Sequence, residues 1–155
     1  MGAKGITLVE EGHPIPLQVP TGSTGGVGYS DVFHMKEASH ASILIQTGAI
    51  TNATTITVQE CTGAGATGAT AIAFKYCSTT ATDVFGALTL GTAGGFATGT
   101  TNNYNWMIEL DASELSDGYP YVCLHFTTAA AIFINAAAVL TGLRYAEDTN
   151  ATMLD

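Results

Sequence analysis

The sequence predicts an all-β domain: an antiparallel β-sandwich or jelly-roll-like body carrying an extended N-terminal arm. Three observations predict it. Apolar and polar residues alternate with a period of two through five consecutive segments, Gly/Thr/Asn-rich turns separate those segments, and a stretch rich in Pro and Gly precedes them. At 155 residues the chain fits a single domain. The expected division is an arm over 1–30, a sandwich over 31–148 and a short tail over 149–155.

In the arm, Pro14, Pro16 and Pro20 each lack a backbone donor and push their predecessors toward extended geometry. "TGSTGGVGYS" (21–30) then places four glycines in ten residues. Short strands at 5–10 and 15–19 are admissible only at sheet edges, because proline interrupts a ladder. A segment with so few core residues is expected to gain order by lying on another surface.

The body is more regular. "SHASILIQTGA" sets Ile43 and Ile45 against Leu44, and "TTITVQEC" sets Ile56 and Val58 against Thr55, Thr57 and Gln59. In "AIAFKYC" Ile72, Phe74 and Tyr76 face inward and Lys75 outward. "YNWMIEL" turns Trp106, Ile108 and Leu110 one way, with Asn105, Met107 and Glu109 the other. "YVCLHF" turns Val122, Leu124 and Phe126 inward, which leaves Tyr121, Cys123 and His125 outward. Each pattern fits a strand with one buried face. Segment 131–145 suits a strand or a helix by composition, and the all-β context favours a long or broken strand. The low-complexity pieces 62–71 and 90–103 are expected as two hairpin loops.

Composition narrows the function classes. Charged residues make up only 11% of the chain and the net charge is −9, with Lys4, Lys36, Lys75 and Arg144 as the cations. Four scattered cations form no patch for a nucleic-acid backbone or an anionic membrane. The first twenty residues hold no apolar run of signal-peptide or membrane-span length. Cys61, Cys77 and Cys123 show no metal-ligand spacing, so reduced, buried thiols are expected, with a Cys61–Cys77 bridge as the lesser alternative.

One stretch resembles an active site at first sight. "WMIELDASELSDGYPYVCLHF" (106–126) gathers Glu109, Asp111, Glu114, Asp117, Cys123 and His125. Asp111 and Glu114 stand at capping-box spacing, and Asp117-Gly118 is a turn signal, so the reading is a capped corner between strands. No EF-hand glycine, G-x-S-x-G elbow or phosphate-binding loop is present. His34 and His40 lie about 20 Å apart in an extended chain and make a poor metal pair. No catalytic residue, metal ligand or cofactor site is expected. Cys123 and His125 are the outward positions on which a neighbouring subunit would pack, and Pro14, Pro16 and Pro20 are the arm's contact candidates.

The succession "SDVFHMKEASHASILIQTGA", "TITVQEC", "ATAIAFKYC", "WMIELDASEL", "YPYVCLHF" and "AAVLTGLRYAED" resembles small virion proteins of tailed bacteriophages, of the capsid decoration or cement type. The resemblance spans about residues 30–148, and its most specific parts are the Ile108–Ala112 corner and the terminal "RYAED". It implies a non-enzymatic protein on the outer capsid surface, made in a bacterial cytoplasm. It further implies a homotrimer whose partner is the major capsid protein and whose role is to bridge capsomers. Alternatives are a neck or tail component, and a carbohydrate- or cell-surface-binding sandwich that would draw on Tyr104, Tyr119 and Tyr121.

Overall fold

The computed structural model describes residues 5, 8–23, 26–79, 83–128, 132–143 and 154. Among these residues one turn of helix, α1 (Leu8–Glu11), leads into twelve strands. In chain order these are β1 (Gly12–Ser23), β2 (Gly26–Tyr29), β3 (Phe33–His34), β4 (His40–Ile50), β5 (Thr54–Cys61) and β6 (Thr70–Ile72). They continue with β7 (Phe74–Ser78), β8 (Thr89–Gly91), β9 (Phe96–Ala97), β10 (Asn105–Asp111), β11 (Tyr121–Thr128) and β12 (Ile132–Thr141). A single 3-10 turn, Ala112–Glu114, makes the corner after β10.

Two antiparallel sheets pack face to face. The first has the order β1-β12-β4-β10-β7-β8; the second has β2-β11-β5-β6, with β3 against β11 and β9 against β5. Read along the chain, the first strand pairs with the last, β2 with β11, β4 with β10, and β5 with β6. The chain is thus one long antiparallel hairpin, bent at β5–β6 and rolled so that successive pairs fall in alternate sheets. That is a jelly roll, with β7, β8 and β9 inserted between its fifth and sixth principal strands, β6 and β10.

Alternation drives the packing as the sequence implies. Ile43, Ile45, Ile56, Val58, Phe74, Ile108, Leu110, Val122 and Leu124 are all fully buried between the sheets. At ~1.5–3 kcal/mol for each large apolar side chain removed from water, this core dominates stability. At one end Phe96 stacks on Tyr76 at 4.6 Å and lies 6.0 Å from Trp106, which in turn meets Tyr104 at 4.9 Å.

Several expectations need correction. Residues 12–23 and 26–29 belong to the sandwich rather than to an arm: β1 is an edge strand of the first sheet, and its Ile15 and Leu17 are buried. Pro14, Pro16 and Pro20 are exposed along it, with ladder irregularities between Pro16 and Gln18 and between Gln18 and Thr21. An edge strand needs donors on one side only, so it tolerates prolines that an interior strand would reject. Residues 8–11, which overlap the strand expected at 5–10, form the helical turn instead. The run 71–77 is two strands, because the chain crosses from the second sheet to the first at Ala73. The loop expected over 90–103 contributes to β8 and contains β9. Segment 131–145 does form the favoured strand, over Ile132–Thr141. The "RYAED" motif, residues 1–4 and most of the 149–155 tail lie outside the described residues, apart from Leu154, which bridges to Phe33.

One glycine is indispensable to this arrangement. Gly95 has φ of +74°, and a Cβ there would collide with the Ile56 carbonyl oxygen. Its position lets β9 lie against β5 and drop Phe96 into the aromatic end of the core. Gly95→Ala is therefore expected to cost ~2–3 kcal/mol in urea unfolding, through strain and the lost pairing of β9.

Candidate functional site

The densest polar constellation lies on the outer face of the first sheet. Strand register creates it. In the β4–β10 ladder Asp111 faces His40 and Glu109 faces Ser42, while the β10–β7 ladder sets Glu109 against Lys75. Side chains two apart on a strand share a face, so His40, Ser42, Glu109, Asp111 and Lys75 converge there.

His40 is held from both sides. Its Nδ1 lies 2.7 Å from Asp111 Oδ1 and its Nε2 lies 2.7 Å from Glu109 Oε2. The Ser42 hydroxyl donates to the same Glu109 oxygen at 2.6 Å. Lys75 Nζ stands 3.3 Å from Glu114 Oε1 and 3.8 Å from Asp111 Oδ2. Glu114 also accepts the Asp111 backbone N–H at 3.0 Å, the capping-box contact expected from the sequence. Burial works against charge on the imidazole, but its hydrogen bonds to Asp111 and Glu109 outweigh that and raise its pKa above the ordinary value of 6.5. The His40 hydrogen bond, joined by the charges of His40 and Lys75, holds the Asp111 carboxyl below its ordinary value of 3.8 despite some desolvation. When the ring is protonated both nitrogens donate, one to each carboxylate, and the group is an imidazolium clamped between them.

The cluster contains the residue types of a nucleophilic triad: Ser42 Oγ is 3.4 Å from His40 Nε2, and Asp111 holds the opposite ring nitrogen. Its wiring opposes that chemistry. Glu109 accepts the Ser42 hydroxyl hydrogen bond and occupies the imidazole nitrogen that would act as base, so the hydroxyl is not directed at His40. Ser42 also lies within β4, whose ladders to β10 and β12 engage the backbone on both sides, so no oxyanion-binding N–H pair adjoins it. The arrangement ties β4, β10, β7 and the 3-10 corner together. Among the described residues no set of three His, Cys, Asp or Glu side chains is arranged to hold a metal ion.

The other sequence-derived positions disperse. Cys123 does not face a neighbour: it is fully buried, with Cys61 Sγ 3.6 Å from its own, in a small cluster with Val32 flanked by Ala66, Ala69 and Tyr121. Burial pushes both thiols up, so they stay protonated and unreactive. Cys77 lies in the other sheet and, like Cys61 and Cys123, is a free thiol, so the Cys61–Cys77 bridge is not formed. His125 is half-buried on the outer face of the second sheet, its ring 4.5 Å from that of Tyr29. The prolines run along β1, away from the cluster. Tyr104 packs on Trp106, whereas Tyr121 meets His34 and Lys36 at the far end of β10, so the tyrosines form no common platform.

The sequence offers His40 only as a poor metal partner of His34, and it does not single out Ser42 or Glu60. His40 draws its partners from 69 and 71 residues away, and the available signal was the matched i, i+2 spacing of "HAS" (40–42) and "ELD" (109–111). Glu60 is buried and accepts the Ser116 backbone N–H at 2.7 Å, which pins the corner to the second sheet. Comparison with family models, curated proteins and solved structures finds no match to this chain.

The clamp has a pH signature. The stabilisation from His40 is complete below its ordinary pKa of 6.5 and fades as pH rises through the higher folded value. That from Asp111 is complete above 3.8 and is lost as pH falls through its depressed folded value. The melting temperature is expected to fall as pH is raised from about 6.5 toward 8, and His40→Gln should flatten that limb of the profile.

Proposed function

We propose that this chain is a non-enzymatic structural protein of a tailed-phage virion, which binds the outer capsid surface as a homotrimer and stabilises the shell by bridging capsomers. The observation that carries this reading is an apolar ridge at one end of the first sheet. Val84, Leu88 and Leu90 are 54%, 52% and 71% exposed, and Phe85 adjoins them. The segment 83–91 bearing them contains one charge, Asp83. It ends in β8, the last strand of its sheet, whose outer edge carries no further strand among the described residues. Exposed apolar side chains beside an open strand edge suit a protein partner that adds main-chain hydrogen bonds and covers the ridge.

On this reading the contact lies elsewhere than the N-terminal segment. Residues 12–23 are engaged in their own sheet, and their prolines blunt that edge, so the β8 edge takes over the docking role. Each contact of this size is modest, and repetition around symmetry axes makes the assembly strong. Jelly rolls serve both as shell proteins and as sugar-binding domains, so the fold is compatible with this reading without selecting it.

Reconstruction of the virion tests the proposal. Hundreds of copies on the outer shell are expected, with the 84–90 ridge against the capsid protein. Tens of copies in a ring would assign the chain to the neck or tail instead. Leu88→Asp with Leu90→Asp is expected to reduce particle occupancy by about tenfold or more while leaving the melting temperature unchanged, because both side chains are solvent-exposed in the free protein.

A further inference from the structure

The outer face of the first sheet holds a second polar feature, at the end opposite the His40 clamp. Asn105 of β10 faces Gln46 of β4, and Gln46 faces Asn135 of β12. Three carboxamides therefore stand in one register line across three adjacent strands, a row ~10 Å long at ordinary strand spacing. Beside them lies a shallow open concavity of about 500 Å³, lined also by Pro20, Gly48 and Phe133. The Phe133 ring is 56% exposed. Gly48 leaves room beside it, since a Cβ there would stand 3.2 Å from the Phe133 Cβ.

The amides are incompletely used. Asn135 Nδ2 donates to Gln46 Oε1 at a long 3.4 Å. Among the described residues the side-chain amide of Asn105, the Gln46 Nε2 and the Asn135 Oδ1 have no hydrogen-bond partner. The row thus offers donors and acceptors in alternation, next to an apolar ring, with no charged residue among those lining the concavity.

We propose that this concavity is a binding site for a neutral saccharide, with Gln46, Asn105 and Asn135 pairing its hydroxyls and Phe133 covering a C–H face of one sugar ring. The chemistry excludes the competing ligands. A phosphate or other anion finds no cation here, and the net charge of −9 repels it. A purely apolar ligand would strip water from three amides and leave them unpaired. An extended peptide needs free backbone groups, yet β12, β4 and β10 are interior strands with their ladders occupied on both sides. Recognition at this place runs through side chains alone. A carboxamide, which presents a donor and an acceptor side by side, matches vicinal hydroxyl groups. The site is separate from the ridge at 84–90 and does not depend on the capsid reading.

The test uses the full chain on an array of neutral and sulfated oligosaccharides, followed by titration of the strongest neutral binder under side-chain amide NMR. Binding to neutral glycans is expected, with resonances of Gln46, Asn105 and Asn135 shifting. Gln46→Ala, Asn105→Ala and Phe133→Ala should each weaken binding by about tenfold with an unchanged melting temperature, which separates contact loss from misfolding. The proposal is overturned if the folded protein binds no neutral glycan, if sulfated glycans bind better, or if binding survives all three substitutions. Failure here leaves shell binding untouched, and absence from the shell would leave glycan binding untouched.

Discussion

The placement of β4 between β12 and β10 is the constraint on which the rest of the molecule depends. In the rolled-up hairpin, β4 is the strand where the two halves of the chain meet on both sides, its residues 40–50 laddered to 105–111 and to 132–141. Its inner face supplies Ala41, Ile43 and Ile45 to the core, and its outer face supplies His40, Ser42 and Gln46. A one-residue slip would exchange those faces, burying His40 and exposing two isoleucines. The hydrophobic core therefore fixes the register, and the register in turn places every polar group discussed above.

The same dependence explains what the sequence disclosed. Alternation is local, so β4, β5, β10 and β11 were legible from runs such as "ASILIQ" and "NWMIEL". Register is non-local: the i, i+2 spacing of His40 and Ser42 matches that of Glu109 and Asp111, but only the β4–β10 ladder shows that they face one another. Sheet membership is equally hidden: Ile72 and Phe74 both read as inward, and both are, but they belong to opposite sheets because the chain crosses at Ala73. Cys123 shows the limit of parity. It does occupy the outer side of β11, yet the 62–69 turn and Val32 close over that side and bury it. The prolines of β1 outweighed a weaker signal, the inward alternation of Ile15 and Leu17, which edge geometry allows to prevail.

The outer face of the first sheet is graded in chemistry along its strands. One end carries the ionic clamp, in which three carboxylates share two cations and a hydroxyl. The other carries neutral amides with spare hydrogen-bonding capacity beside an exposed ring. A network whose members satisfy one another stiffens strands but offers little to a ligand, whereas unsatisfied, solvated amides offer much. The two proposals accordingly draw on the amide end and the apolar ridge, whereas the clamp contributes to stability.

Native-state hydrogen exchange tests the central claim about β4 most directly. If β4 joins the two halves of the chain, amides of Ile43, Ile45, Ile108 and Ala138 exchange only through global unfolding and share one opening free energy, while those of β8 open locally at lower cost. Exchange of the β4 amides through a local opening, at or below the free energy of β8, would contradict the account.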